Sequence, residues 1–207
     1  MEIKEVYNNI SNEFDHSRFS VWSGVRNFLD TLQPNSLNAD IGCGNGKNML
    51  YRKDIKFEGY DISDEFIKIC QNKDLYVKEG NILNLDILDN YYDNCISIAV
   101  IHHLKTVEDR LKAISELLRI TKSGGRILIF VWAMEQPEDS KRKFTKSDEL
   151  VPFKTLDGKI FERFYHIYKE SELENEINLT KKIYNINFEI KSIFWEFGNW
   201  CAILKKN

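Results

Sequence analysis

The junction between the apolar stretch Ser36-Leu37-Asn38-Ala39 and the run Asp40-Ile41-Gly42-Cys43-Gly44-Asn45-Gly46 constrains the fold more than any other part of the chain. Three glycines at every second position let the main chain turn sharply where a strand ends. They also leave bare backbone facing whatever sits there. A dinucleotide fingerprint needs G-x-G-x-x-G, and a triphosphate loop needs a following Lys-Ser/Thr; the sequence has neither. Lys47-Asn48-Met49-Leu50 continues as a helix-compatible run. Strand, glycine turn and helix in succession open an α/β unit, although a glycine cluster by itself is more often a plain turn.

The rest of the chain supports the α/β reading. Val6, Ile10 and Phe14, and then Val21, Val25, Phe28, Leu29 and Leu32 before Pro34, predict N-terminal helices. Phe57 to Asp61 reads as a second strand, and Ser63-Asp64-Glu65 caps a helix carrying Phe66, Ile67 and Cys70. Leu75-Tyr76-Val77 is a short third strand, and the apolar run Cys95 to Ile101 a fourth, covered on both faces. Thr106-Val107-Glu108-Asp109 starts a helix with Leu111, Ile114, Leu117 and Leu118 on one face. Ser123-Gly124-Gly125 should end that helix, and Arg126 to Trp132 is the fifth strand. A polar segment, Glu135 to Lys154, then leads through an aromatic-rich stretch to a helix near Glu170 to Asn178. Phe188 to Trp195 and Asn199 to Lys205, joined at Phe197-Gly198-Asn199, predict an antiparallel hairpin. The expected fold is a Rossmann-like α/β domain. Its mostly parallel seven-stranded sheet closes with a C-terminal antiparallel hairpin and is preceded by helices.

At 207 residues the chain fits one domain, divided here into N-terminal helices (1–35), a ligand-binding core (36–133) and a substrate-side segment with the hairpin (134–207). The acidic opening Met1-Glu2-Ile3-Lys4-Glu5 does not read as a secretory leader, and Cys95 to Ile101 is too short to cross a bilayer, so no membrane partner is expected. The four cysteines lack C-x-x-C spacing, which argues against structural zinc and for reduced, buried thiols. A cytoplasmic location is expected, with the nucleus as the alternative. A net charge of −3 argues mildly against nucleic acid as a partner. Lys141-Arg142-Lys143, with Lys146 beyond, is the best candidate for a phosphate footprint; a solvated loop accounts for it as well.

The G-x-G-x-G loop with an acid two residues ahead resembles that of Rossmann-like S-adenosylmethionine-dependent methyltransferases. In such a sheet the ligand lies across the carboxyl ends of the strands. Asp61, about twenty residues beyond the loop, would accept hydrogen bonds from both ribose hydroxyls, or else cap the next helix. Asn81 stands where an aspartate commonly meets the adenine amine, and its carbonyl can still accept. Ala99 is small enough to let backbone approach the sulfonium, and His102-His103 falls at the mouth of the site, as functional groups or as satisfied core histidines. The cofactor set is therefore Asp40, Gly42, Cys43, Gly44, Gly46, Asp61, Ile62, Asn81, Ile82 and Ala99, with no metal.

A narrower resemblance rests on three runs: Ile98-Ala99-Val100-Ile101-His102-His103-Leu104, Val131-Trp132-Ala133-Met134-Glu135-Gln136 and Gly198-Asn199-Trp200-Cys201. Asp15-His16, Arg18, Trp22, Val151-Pro152-Phe153 and Arg163-Phe164-Tyr165-His166-Ile167-Tyr168 extend it. Together they resemble the eukaryotic tRNA wobble-uridine carboxymethyl methyltransferases, which also occur fused to an AlkB-like hydroxylase. The resemblance implies methyl transfer from S-adenosylmethionine to the carboxylate of 5-carboxymethyluridine in the tRNA anticodon loop, giving the methyl ester. It also implies a small zinc-binding activator protein as partner. The sequence departs from that pattern in a short link between Gln136 and Val151, and in Phe153, Ser171 and Asn81 where Trp, Gly and Asp are common.

A carboxylate nucleophile is already ionised at neutral pH, so the site needs alignment and charge rather than a strong base. Arg18 and Arg163 are candidates to bind that carboxylate or nearby phosphates, with surface arginines as the alternative. His103 and His166 are candidates to position the uracil edge or the carboxylate. Trp22, Trp132, Phe153 and Tyr165 are candidate base platforms or plain core. The activator is expected at the edge strand, Leu75 to Val77, with Ile82 to Leu88 as exposed apolar surface. A small-molecule methyltransferase shares every cofactor residue and is the main rival; a cofactor-binding scaffold without turnover is the other.

Overall fold

Strand β5 (Thr121–Trp132) alternates its side chains between two cores, and this sets the layering. Ile127, Ile129 and Val131 pack with Ala113, Ile114, Leu117 and Leu118 of α4 (Val107–Ile120) and with Ile177 of α5 (Glu172–Tyr184). Leu128 and Phe130 point the other way, onto Val25, Phe28 and Leu29 of α2 (Ser23–Asp30). Around β5 the computed structural model, which describes residues 1–207, arranges a seven-stranded sheet in the order β3-β2-β1-β4-β5-β9-β8. Strands β1 (Leu37–Ile41), β2 (Lys56–Asp61), β3 (Val77–Glu79), β4 (Tyr92–Ile98) and β5 are parallel. Strands β8 (Phe188–Glu196) and β9 (Asn199–Lys206) form the expected antiparallel hairpin, turning through Phe197 and Gly198 at positive φ. The fold is thus the Rossmann-like one predicted. No helix is long and apolar enough to cross a membrane.

Five local expectations are corrected. Lys47 to Leu50 forms successive turns, not a helix: Asn45 donates to Asp15 and to the Arg18 carbonyl, and Asn48 to Asp40, so side-chain bonds compete with helical ones. The third strand begins at Val77, after Leu75 and Tyr76. The fourth ends at Ile98, because Ala99 turns to φ +64° and Ile101–His103 closes a 3-10 turn. Gly124 and Gly125 do not end α4; they sit in a bulge of β5, where the pairing with β4 jumps from Tyr92↔Thr121 to Asn94↔Arg126, with Gly124 at φ +82°. The polar segment contains a strand, β6 (Asp148–Lys154), paired antiparallel with β7 (Ile160–His166) as a separate two-stranded ribbon. Pro152 is tolerated there because such a ribbon consists of edges.

The edge near β3 is also less apolar outside than expected. Val77, Ile82 and Leu85 are buried in the cores, which leaves Tyr76 and Leu88 as the exposed large hydrophobic residues of that segment. Helix α1 (Ile3–Ser17) lies across the strand ends. It is pinned by Lys4 to Asp64 and Glu79, by the Ser63 hydroxyl donating to Asn8 at 2.7 Å, and by Lys73 to Asp15 at 2.6 Å.

Candidate functional site

The principal cavity opens at the carboxyl ends of β1, β2, β4 and β5, where strand order reverses between β1 and β4. Each glycine of the loop has a different reason to be glycine. A Cβ on Gly42 would stand 2.3 Å from Val100, and one on Gly46 would stand 2.3 Å from Leu75. Gly44, at φ +53°, has open space where its Cβ would be and lines the cavity. Gly44 therefore forms a cradle into which a ligand can press. Gly46 packs the loop against the turn before β3 and does not line the cavity.

Asp61 lines the cavity at the end of β2. Its carboxylate accepts the Gly44 N–H at 2.7 Å and the Ser63 N–H at 2.9 Å, which leaves a lone pair on each oxygen for a diol. Burial lifts its pKa while these backbone donors work to hold it down. The N-cap of α3 (Asp64–Gln71) is Ser63 and not Asp61, so the capping alternative does not occur. Asp40 lies behind the loop and outside the cavity lining. It is fully buried, with the Asn48 amide 3.4 Å from one oxygen and no partner on the other. Burial, with Asp61 adding repulsion, pushes its pKa up to about 7.

Cys43, Ile62, Asn81, Ile82 and Ala99 all line the cavity. The Asn81 carbonyl oxygen expected to meet adenine accepts the Leu83 N–H at 3.0 Å, which leaves it one lone pair. Ala99 holds φ +64°, a costly conformation for a residue with a Cβ, at the cavity wall. The open face at Gly44, the lone pairs left on Asp61 and the apolar Ile62 and Ile82 fit S-adenosylmethionine.

The two histidines at the β4 exit divide. His102 is wholly buried and accepts the Trp132 N–H on Nδ1 at 3.0 Å. His103 lines the cavity with both nitrogens engaged. Its Nδ1–H donates to the Phe164 carbonyl at 2.8 Å, so its Nε2 accepts the Tyr7 hydroxyl, also at 2.8 Å. Burial, partly offset by that carbonyl, lowers the His103 pKa to about 4. It is a neutral group that fixes Tyr7 and β7 in place and has no lone pair free to take a proton.

Cations dominate the remaining wall: Arg18, Lys47, Arg142 and Arg163 line the cavity, with Asp61 as its carboxylate. Arg163 is 5% exposed, its Nε has no hydrogen-bond partner, and it pairs with no acid. It lies over the Phe153 and Tyr165 rings at 5.3 and 5.2 Å. Arg142 stacks 4.0 Å above Trp132, and Trp132 stacks on Tyr165 at 4.1 Å. Trp22, Trp132 and Tyr165 line the cavity; Phe153 does not.

His166 is placed elsewhere. It does not line the cavity but bridges Asp148 at 2.7 Å and Glu172 at 2.9 Å, tying β6 to α5. Glu176 brings a third ligand-type atom close, yet it is already held by Arg110 at 2.7 Å and by the Tyr168 hydroxyl at 2.8 Å, which makes this an ion-pair cluster. Sequence reasoning missed Tyr7, Asn45, Lys47 and Asn48 as cavity residues, and read Arg142 only as part of a basic run. The proximity of Lys47 and Asn48 to the glycine loop was a usable signal. Tyr7 carried none.

A methyltransferase-domain family model matches residues 39–129. The chain is 30% identical over 259 residues to the tRNA (carboxymethyluridine(34)-5-O)-methyltransferase alkbh8 of Xenopus tropicalis, which aligns 99% of this chain but 40% of that protein. It spans well under half the length of this and several other curated relatives. A methyltransferase solved in complex with the Trm112 methyltransferase activator of Haloferax volcanii has the same fold, with TM-score 0.68, 14% identity, and 99% and 97% of the two chains covered. The tRNA (carboxymethyluridine(34)-5-O)-methyltransferase of Schizosaccharomyces pombe is 30% identical over 228 residues, 99% of this chain and 96% of that one. With so nearly complete an alignment of both chains, and a methyltransferase core built for S-adenosylmethionine, the protein belongs to the tRNA (carboxymethyluridine(34)-5-O)-methyltransferase family.

Proposed function

We propose that this chain methylates the carboxylate of 5-carboxymethyluridine at the tRNA wobble position, giving the methyl ester. One observation carries the reading: Arg163 is a buried guanidinium with no acid beside it, aimed into a cavity where Arg18, Lys47 and Arg142 add three more positive charges. Burying an unpaired cation costs several kcal/mol, and an anionic substrate offsets that cost. When bound, S-adenosylmethionine supplies a methyl group on a positively charged sulfur. The protein has only to hold an already ionised oxygen in line with it. Asp61 and the Gly44 face hold the cofactor, Arg163 and Arg18 hold the carboxylate, and the Trp132–Tyr165 stack walls the base. His103 keeps Tyr7 and β7 in register and transfers no proton, as suits a nucleophile that needs no base.

The activator belongs, on this reading, at the free edge of β3, where Tyr76 and Leu88 are exposed. A cytoplasmic location, with the nucleus as the alternative, accords with a tRNA substrate. The test is nucleoside mass spectrometry on carboxymethyluridine-bearing tRNA after incubation with the chain and S-adenosylmethionine, with and without a zinc-binding activator. A methyl ester that mild alkali removes is the expected product. S-adenosylmethionine binding without any ester on tRNA in either arm overturns the reading and leaves the small-molecule rival.

A further inference from the structure

The chain is net negative, yet its substrate under the proposed function is a polyanion. One stretch is rich in cations and free of acids. The connection from Ser140 to Ser147 carries Lys141, Arg142, Lys143 and Lys146 and no acid. All three lysines are exposed, and none has a carboxylate within 4.0 Å, unlike Lys4, Lys68, Lys73, Lys112, Lys122, Lys159 and Lys191 elsewhere. Three of the acids nearby are spent locally. Asp148 meets His166, Glu149 accepts the Thr145 and Lys146 N–H groups, and Asp157 pairs with Lys159. Glu138 and Asp139 precede the run.

This connection also has a defined position. Arg142 lines the cavity and stacks on Trp132, and Phe144 packs on the same ring at 5.9 Å. The backbone is held where it starts and ends: Arg142 N–H donates to Ser140 Oγ at 3.1 Å, and Thr145 N–H to Glu149 at 3.0 Å. The lysines on either side of Arg142 therefore flank the cavity mouth.

We propose that Lys141, Lys143 and Lys146 form a surface for the phosphodiester backbone of RNA, leading a single-stranded loop to the cavity. The proposal rests on the tRNA reading above and deepens it. Each phosphate held releases counterions, so affinity becomes salt-dependent in proportion to the number of contacts. Arg142 marks the inner end of the path, where backbone contact gives way to ring stacking.

The test compares the full chain with K141A/K143A/K146A and with a control, K53A/K56A, which removes exposed lysines outside the patch. Binding of a labelled tRNA anticodon stem-loop is followed by fluorescence anisotropy from about 50 to 200 mM salt, the range over which phosphate contacts show. The triple variant is expected to lower the slope of log affinity against log salt by about two to three, and to weaken low-salt binding at least about tenfold. The control and calorimetric S-adenosylmethionine affinity stay at wild type. An unchanged slope, an equal loss in the control, or loss of activator binding with RNA affinity intact overturns the proposal. Patch-dependent RNA binding without ester formation would sink the proposed reaction and leave this surface standing. Ester formation untouched by the triple variant would do the reverse.

Discussion

Arg163 illustrates how a single side chain carries opposing demands. Its charge is buried against Tyr165 and Phe153 with no carboxylate to neutralise it, so the substrate-free fold bears a cost that catalysis recovers. Arg163→Met, similar in reach and apolar, should raise stability by about 1–2 kcal/mol in urea unfolding and lower kcat/KM for tRNA by about 10–100-fold. A variant that loses stability and keeps its activity would show that the charge is structural. Asp40 makes a second prediction. Its folded pKa, about 7, stands above the unfolded value near 4, so the native state holds a proton that the unfolded state releases. Stability from this group is therefore greatest below pH 4 and is lost as pH rises to about 7. Asp40→Asn should flatten that part of the stability–pH curve and raise Tm at pH 8. An unchanged pH dependence would mean the carboxyl is ionised in the fold.

At the scale of elements, the β6–β7 ribbon delivers Arg163, Tyr165 and the Phe164 carbonyl to the cavity, and His166 braces its base. Carboxylates face both ring nitrogens, which favours the doubly protonated ring. Burial opposes that charge, but the bonds to Glu172 and Asp148 outweigh it and raise the His166 pKa; Arg110 weakens the effect from α4. A raised histidine pKa contributes stability that is complete below about 6.5 and is lost as pH climbs through the folded value. His166→Gln should therefore destabilise by about 1 kcal/mol at pH 6 and by clearly less at pH 9, read as urea midpoints. Equal losses at both pH values would mean the ring is neutral. The ribbon was the element least legible in the sequence. Asp148 to Lys154 mixes charges, Pro152 and apolar residues without clean alternation, and its partner lies beyond a turn through Gly158. Helices α3 and α4 were plain by contrast, because Ser63 and Thr106 cap them through bonds made within four residues.

Across the whole molecule, local chemistry decided a good deal. The glycine spacing, the alternation of strand and helix and the turn at Phe197-Gly198-Asn199 sufficed for the parallel sheet, its C-terminal hairpin and a cavity at the strand ends. These features rest on steric and hydrogen-bonding rules that operate over a few residues. Only the tertiary structure decided that Gly44, and not Gly46, faces the cavity, that Asp40 is sealed behind the loop, and that His103 enters the site while His166 braces a ribbon. It likewise decided that Arg18, Lys47, Arg142 and Arg163, drawn from four separate segments, meet at one wall. The physical reason is that burial, and the balance of charge within a cavity, are set by neighbours far away in sequence. No local spacing encodes those distances.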